Sequence, residues 1–215
     1  MILTSTFFTF LFHYSTLYFT PHHKKRLAQY YLSFLHSVTV VFLYLSDFSL
    51  KEYIDIIEPQ DEIIMGIHIG YFLSDGLYEF YIREWSYVFH HLFSVYYIYL
   101  NYAYSTIGLM ERGMLVAETS AMVLNLRSIV VKHKKKKYIT LELLNFITYF
   151  GLRGLVSPYY FTDYAWNYGF DQKQMAVIFM LFWTMSLNWS YKMYKSTRDL
   201  CRLNFRSSLS NSLAG

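Results

Sequence analysis

The sequence predicts an all-α protein, a multi-pass transmembrane helical bundle or barrel of about seven spans. Three observations predict this fold class. Hydrophobic residues make up 54% of the 215 residues and charged residues 16%, whereas a soluble domain carries about 25% charged residues. The apolar residues fall in stretches of about 20, the length that a helix needs to cross the hydrocarbon core. The loops between these stretches alternate in charge, which is typical of multi-pass proteins.

Seven stretches qualify as spans, and they are 2–20, 27–45, 63–82, 87–104, 107–131, 138–157 and 175–194. The first is rich in Thr and Ser, so it either crosses the membrane or lies at its interface, which would leave six spans. No basic region precedes it and no clear cleavage site follows, so we expect a retained segment rather than a signal peptide. The chain therefore divides into an N-terminal hydrophobic segment with a basic loop (1–26), a transmembrane domain (27–195) and a polar cytosolic tail (196–215).

Basic clusters follow every second span, which predicts the orientation of the chain. They occupy 24–26, position 83, 132–137 and 195–206, whereas the intervening segment 47–62 holds six acids and one lysine. The positive-inside rule then places the C-terminus in the cytosol, and the N-terminus in the lumen if the first stretch spans. Because the basic loops lie between hydrophobic spans, we expect no nucleic-acid partner.

Polar side chains recur inside the spans at helical spacing. An ionisable side chain at the bilayer centre costs roughly 2.5–3.5 kcal/mol, so it is expected to face a bundle interior or a cavity. Hydrogen bonding between helices, at about 0.6 kcal/mol per contact, accounts for Ser, Thr and Asn but poorly for acids. The residues expected to line a cavity are His36, His68, Glu79, Ser94, Tyr97, Glu111, Glu118, Asn125, Arg127, Glu142 and Asn145. Arg127 either extends to lipid phosphates or pairs with a neighbouring helix, and Arg153 lies deeper.

Several short motifs share the order and spacing of a known family. They are Ser33 with His36; the segment 71–79 with Ser74, Asp75 and Gly76; His90-His91 followed by Ser94 and Tyr97; Glu118-Thr119-Ser120 with Asn125-Leu126-Arg127; Glu142 with Asn145; and Leu187-Asn188-Trp189. On these motifs, which cover roughly 27–195, the chain resembles the TLC family, named for its TRAM, Lag and CLN members and including ceramide synthases. The resemblance implies a location in the endoplasmic reticulum and membrane lipids as partners.

One departure from the ceramide synthases favours another branch of the family. The synthases carry His-Asp and Ser-Asp pairs on the helix after the paired histidines, but the equivalent stretch, 111–128, has neither histidine nor aspartate. The chain is thus more similar to the non-synthase branch, whose members are implied to tune membrane lipid composition or to handle lipids. Our first hypothesis is therefore a protein of lipid homeostasis that binds or modifies a lipid or acyl chain in a polar intramembrane cavity.

The paired histidines support a second hypothesis, an acyl-CoA-dependent N-acyltransferase similar to ceramide synthases. In it, His90 or His91 would accept the acyl group or act as the base, and Asp75, Glu79 or Glu118 would orient the imidazole. We take His90, His91 and Asp75 as the candidate catalytic residues. No cofactor is expected, and acyl-CoA enters only as the co-substrate of this hypothesis. The alternative is that the histidine pair is structural.

Other kinds of site have less support in the sequence. The single cysteine, Cys201, excludes a disulfide framework and a cysteine-based zinc site. Only two histidine pairs occur, whereas di-iron desaturases and hydroxylases need several closely spaced histidine boxes, so we predict no metal site. A membrane cargo or sorting receptor is a further hypothesis, and a cation pore along Asp75, Glu111 and Glu118 is more remote.

Overall fold

The computed structural model describes residues 1–46, 55–169 and 173–213. Within these ranges the chain forms helices and no β-strand, so the predicted all-α fold is confirmed. The helices are α1 (Ile2–Phe19), α2 (Lys25–Ser46), α3 (Pro59–Tyr81), α4 (Trp85–Ala103), α5 (Ile107–Lys134), α6 (Ile139–Tyr168) and α7 (Lys173–Leu213). Each predicted span overlaps one helix. The polar tail continues α7 as helix, and much of the acidic segment 47–62 lies outside the described residues.

Three helical stretches in the described part of the chain are long and apolar enough to cross a membrane, namely His22–Ser46, Ile107–Lys134 and Ile139–Tyr168. In α3, four acids lower the mean hydropathy, and in α4 the paired histidines do the same. These polar side chains are largely buried between helices rather than exposed to lipid. The protein is therefore an all-α membrane bundle with polar and charged side chains in its interior.

Helices α2 to α7 form a closed ring in the order α2, α3, α4, α7, α6, α5, with α1 on the outside against α3 and α2. Gln29 near the start of α2 contacts Glu79 near the end of α3, so these two neighbours are antiparallel. His91 near the start of α4 contacts Asp75 in the second half of α3, so α3 and α4 are also antiparallel. Consecutive helices thus alternate in direction around a shared interior.

Two glycines bring α1 unusually close to α3. A Cβ atom on Gly66 would lie 2.6 Å from the carbonyl oxygen of Ile2, and one on Gly70 would lie 2.5 Å from that of Thr6. These glycines form a Gly-x-x-x-Gly motif, which allows two membrane helices to pack backbone against backbone. The contacts make α1 parallel to α3. This is the direction that α1 needs if both helices cross the membrane.

Basic residues from different segments gather at one end of the ring, which we call the basic end. Tyr31 Oη lies 2.8 Å from His133 Nε2, so the start of α2 meets the end of α5. Lys137 Nζ donates to Ser196 Oγ at 3.1 Å, which brings the α5–α6 loop to the same end of α7. The predicted basic clusters therefore lie on one side of the bundle. The assignment of that side to the cytosol stays a prediction.

A π-helical segment, Phe150–Val156, interrupts the α-helical hydrogen bonding of α6. Such segments are rare and occur frequently at functional sites. Trp183 Nε1 on α7 donates to the carbonyl oxygen of Gly154 at 3.2 Å, so a carbonyl in the widened turn has a partner. Arg153 lies at the middle of this segment.

Candidate functional site

Two cavities meet inside the ring. The larger one, the polar chamber, has a volume of about 380 Å³ and includes Arg26, Arg127 and Lys192 from the basic end in its lining. The smaller one, the apolar pocket, has a volume of about 100 Å³, and its lining includes Phe72, Val116, Phe179, Phe182 and Trp183. His90 and Arg153 line both cavities, so they stand where the polar chamber and the apolar pocket join.

An Asp–His pair forms one wall of the polar chamber. His91 Nε2 lies 3.0 Å from Asp75 Oδ2, and both side chains are buried. The hydrogen bond to Asp75 places the ring proton on Nε2. The buried Nδ1 of His91 has no hydrogen-bond partner among the described residues, so its lone pair is free.

His90 has a different environment from His91. Its ring packs edge-on against Phe182 at 5.5 Å and Trp189 at 5.3 Å between centroids. Its buried Nδ1 also lacks a hydrogen-bond partner within the described part of the chain. Because the acid contacts His91, the two histidines differ in their polar contacts: His91 is oriented by a carboxylate, and His90 is held by aromatic rings at the junction of the cavities.

Gln29 joins two of the four acids of α3, Asp75 and Glu79. Its Nε2 atom donates to Asp75 Oδ1 at 2.8 Å and to Glu79 Oε1 at 2.6 Å. Arg26 Nη1 donates to the same Glu79 oxygen at 2.7 Å and to Gln29 Oε1 at 2.8 Å. The Glu79 carboxylate is thus paired with a cation, which offsets part of the cost of burying it. Of the three acids considered as partners for the paired histidines, Asp75 is the one that contacts His91.

The opposite wall carries two arginines with unlike partners. Arg127 Nε donates to Glu142 Oε1 at 2.8 Å. Of the two predicted roles of Arg127, a contact with lipid phosphates or a pair with a neighbouring helix, the structure shows the second. Arg153 instead donates to neutral groups, from Nε to Ser120 Oγ at 2.6 Å and from Nη2 to the Ala117 carbonyl oxygen at 2.7 Å. Among the described residues, no carboxylate lies within 4.0 Å of the Arg153 guanidinium. The guanidinium also lies 4.9 Å from the centroid of the Tyr149 ring. These neutral groups do not neutralise its positive charge, which can still attract an anionic or strongly polar ligand.

The predicted cavity residues divide into three groups. The polar chamber is lined by Asp75, Glu79, His90, His91, Asn125, Arg127, Glu142 and Asn145. The apolar pocket is lined by His90, Ser94, Tyr97 and Glu118. The remaining three, His36, His68 and Glu111, are buried but line neither of these two cavities. His36 is enclosed because its ring stacks on Tyr71 at 3.9 Å, between α2 and α3.

Gln29 and the two packing glycines were not singled out from the sequence. Gln29 precedes Ser33 by four residues and His36 by seven, so it shares their helix face and the spacing rule could have found it. Gly66 and Gly70 form a motif that is readable directly from the sequence. Arg153 was noted for its depth, but its place between two cavities depends on the fold of α5, α6 and α7.

Comparison with known proteins gives one match. A family model described as the TLC domain matches residues 3–195 of the chain. The matched region begins before α2, so it includes α1, whereas the motifs read from the sequence began at residue 27. No curated protein and no solved structure matches the chain.

Proposed function

Because this chain belongs to the TLC domain family, and is thereby tied to membrane lipid metabolism or homeostasis, we propose that it holds a lipid or acyl chain across the polar chamber and the apolar pocket. The proposal includes membership of the non-synthase branch, a location in the endoplasmic reticulum and a basic end that faces the cytosol. The positive-inside rule supports this last point.

The junction of the two cavities at His90 and Arg153 is the observation that carries the proposal. A lipid joins a polar headgroup to an apolar tail. The charged side chains that line the larger cavity suit the headgroup, and the aromatic side chains that line the smaller one suit the tail. The guanidinium of Arg153 would donate to a phosphate or carbonyl oxygen of the ligand in the polar chamber. Aromatic side chains such as Phe179 and Phe182 would pack against part of the tail in the apolar pocket.

Lipid retention tests this proposal. The protein is purified in a mild detergent, and lipids that remain bound are identified by native mass spectrometry. The wild type is expected to retain a lipid, and Arg153→Gln to retain about tenfold less, because a hydrogen bond to a charged group contributes roughly 1.5–3 kcal/mol. Arg83→Gln is the matched control, since Arg83 is exposed between α3 and α4. A wild type without bound lipid, or equal retention by both variants, would contradict the proposal.

A second candidate function is the N-acyltransferase, which the Asp75–His91 pair favours. In this reaction, the nitrogen of an amine lipid would attack the thioester carbonyl of acyl-CoA. The free Nδ1 of His91 would take the proton that this amine loses. The C–N bond forms, the C–S bond breaks, and CoA leaves as the thiol once its sulfur receives the proton. Asp75 would stabilise the imidazolium of His91 that exists between the uptake of the proton from the amine and its delivery to the sulfur of CoA. Lys192 and Arg26 lie in the chamber lining toward the basic end, where they suit the phosphates of CoA.

Turnover of labelled acyl-CoA with a panel of amine lipids tests this second candidate. If His91 is the base, His91→Gln should slow acyl transfer by about 10²–10⁴-fold. Asp75→Asn should also slow it, because the amide cannot stabilise the imidazolium. His22→Gln changes an exposed histidine in the basic loop and should have no effect. Turnover by His91→Gln at the wild-type rate would remove His91 from the reaction.

A further inference from the structure

Three buried side chains on three different helices converge on one point beside Tyr71. His36 Nε2 on α2 lies 3.7 Å from Glu118 Oε1 on α5, and His68 Nδ1 on α3 lies 4.0 Å from the same oxygen. The three ligand atoms are all within 4.8 Å of one another. The three side chains are at most 6% exposed, so bulk water does not reach this cluster freely.

The atoms that face each other in this cluster lack partners. His36 Nε2 and His68 Nδ1 are both buried and have no hydrogen-bond partner among the described residues. Buried polar atoms in proteins are almost always paired, so two unpaired nitrogens aimed at the same carboxylate oxygen indicate a common missing partner. A cation placed between them would bind both nitrogen lone pairs and the oxygen together.

Neighbouring hydroxyl groups hold two of these side chains in place. Tyr44 Oη lies 3.3 Å from His68 Nε2, so the ring nitrogen that faces away from the cluster has a polar partner. Ser37 Oγ donates to Glu118 Oε2 at 2.7 Å, which leaves the other carboxylate oxygen for the cluster. Hydrogen bonds to the far atoms of histidine and carboxylate ligands are the usual second layer of a protein metal site.

We propose that His36, His68 and Glu118 bind a divalent transition metal, with zinc as the expected ion. Two imidazoles and one carboxylate are a donor set that zinc accepts while a fourth position stays open. Magnesium and calcium are disfavoured because they prefer oxygen ligands. Ligands of a tetrahedral zinc lie about 3.4 Å apart. The two nitrogen–oxygen distances of 3.7 and 4.0 Å must therefore shorten by about 0.3 and 0.6 Å, and the two nitrogens, which lie within 4.8 Å of each other, must approach by up to about 1.4 Å. Glu118 also lines the apolar pocket, from which a water or a polar ligand atom would complete the coordination.

From the sequence we predicted no metal site. The sequence could not indicate this one, because its three ligands form no linear motif. Each of the three residues lies on a separate helix, so the sequence shows no pair of ligands at close spacing. Tyr71 links this site to the Asp75–His91 pair, because its ring stacks on His36 and its hydroxyl group donates to Asp75 Oδ2 at 3.3 Å. Metal content is measured directly, so the test does not depend on lipid retention or on acyl transfer.

Metal analysis of the full chain tests the proposal. The detergent-purified wild type should contain about one zinc per chain by inductively coupled plasma mass spectrometry. After removal of zinc by a chelator, Co²⁺ should rebind with the intense visible absorption of a tetrahedral site. Glu118→Gln keeps the shape of the side chain but should lose most of the metal. His13→Gln is the matched control, since its ring centroid is 6.3 Å from that of His36 but His13 is not one of the three ligands.

Two results would overturn the site. One is a wild type that holds less than about a tenth of an equivalent of metal and takes up neither Zn²⁺ nor Co²⁺ on dialysis. The other is full metal content in folded Glu118→Gln and His36→Gln. If a variant does not fold, the wild-type titration with Zn²⁺ and Co²⁺ decides alone.

Discussion

Replacing Gly70 by alanine should loosen the contact between α1 and α3. The new Cβ would lie 2.5 Å from the Thr6 carbonyl oxygen and 2.9 Å from the Phe10 amide nitrogen. Both atoms belong to the backbone of α1, so no side chain can rotate away to make room. Because ordinary contacts of a Cβ atom begin at 3.4 Å, the two helices must separate locally by about 0.9 Å.

The size of the effect follows from this separation. Overpacking of a close contact costs typically about 1–3 kcal/mol. In a chain of 150–250 residues, each 1 kcal/mol lowers the unfolding temperature by about 2–4 °C. We therefore expect Gly70→Ala to lower it by about 5 °C. Gly151→Ala on α6 is the control, because a Cβ there meets no atom within 4 Å. Alanine also has the higher helix propensity, so this control should be neutral or stabilising.

Thermal unfolding in detergent measures both variants. Aliquots are heated, aggregates are removed, and the remaining folded protein is quantified by size-exclusion chromatography. Gly66→Ala should behave like Gly70→Ala, since its Cβ would also meet α1 backbone. A Gly70→Ala variant that unfolds within about 1 °C of the wild type, a change smaller than 1 kcal/mol, would show that the close contact does not limit stability. An equal loss of stability in Gly151→Ala would show the same.

Three further predictions concern the polar chamber. Glu142→Gln should lower stability by about 1–3 kcal/mol, measured by the same unfolding assay, because Arg127 loses its charged partner; adding Arg127→Gln should recover part of the loss. Gln29→Glu should destabilise more than Gln29→Leu in that assay, because it places a third carboxylate beside two buried ones. Lys192→Glu should weaken binding of an anionic lipid or acyl-CoA several-fold in a low-salt binding titration, with the exposed Lys173→Glu as the unaffected control.

The helices and their alternation in direction could be predicted, because both depend on local sequence. A run of about 20 apolar residues is sufficient for a membrane helix, and alternating basic loops are sufficient for an alternating bundle. The continuation of α7 through the polar tail was not predicted, because hydropathy marks where a span ends rather than where a helix ends. The π-helical segment was not predicted either, since its sequence suits an ordinary helix.

The members of the candidate site could be predicted more easily than their partners. Helical spacing identified Asp75 and Glu118 as inward-facing, because that property belongs to a single helix. His91 was instead taken from the paired-histidine motif of the family. Which acid meets which histidine depends on the distance and rotation between helices, which no spacing rule contains. Asp75 is close to His91, whereas Glu118 is close to His36 and His68 instead.

The widened turn at Phe150–Val156 has a consequence for how chains of this architecture differ in length. A π-turn holds one residue more than an α-turn, so the part of α6 after it is rotated by about 100° relative to an uninterrupted helix. An insertion or deletion of a single residue can therefore be absorbed inside α6, without any change in a loop.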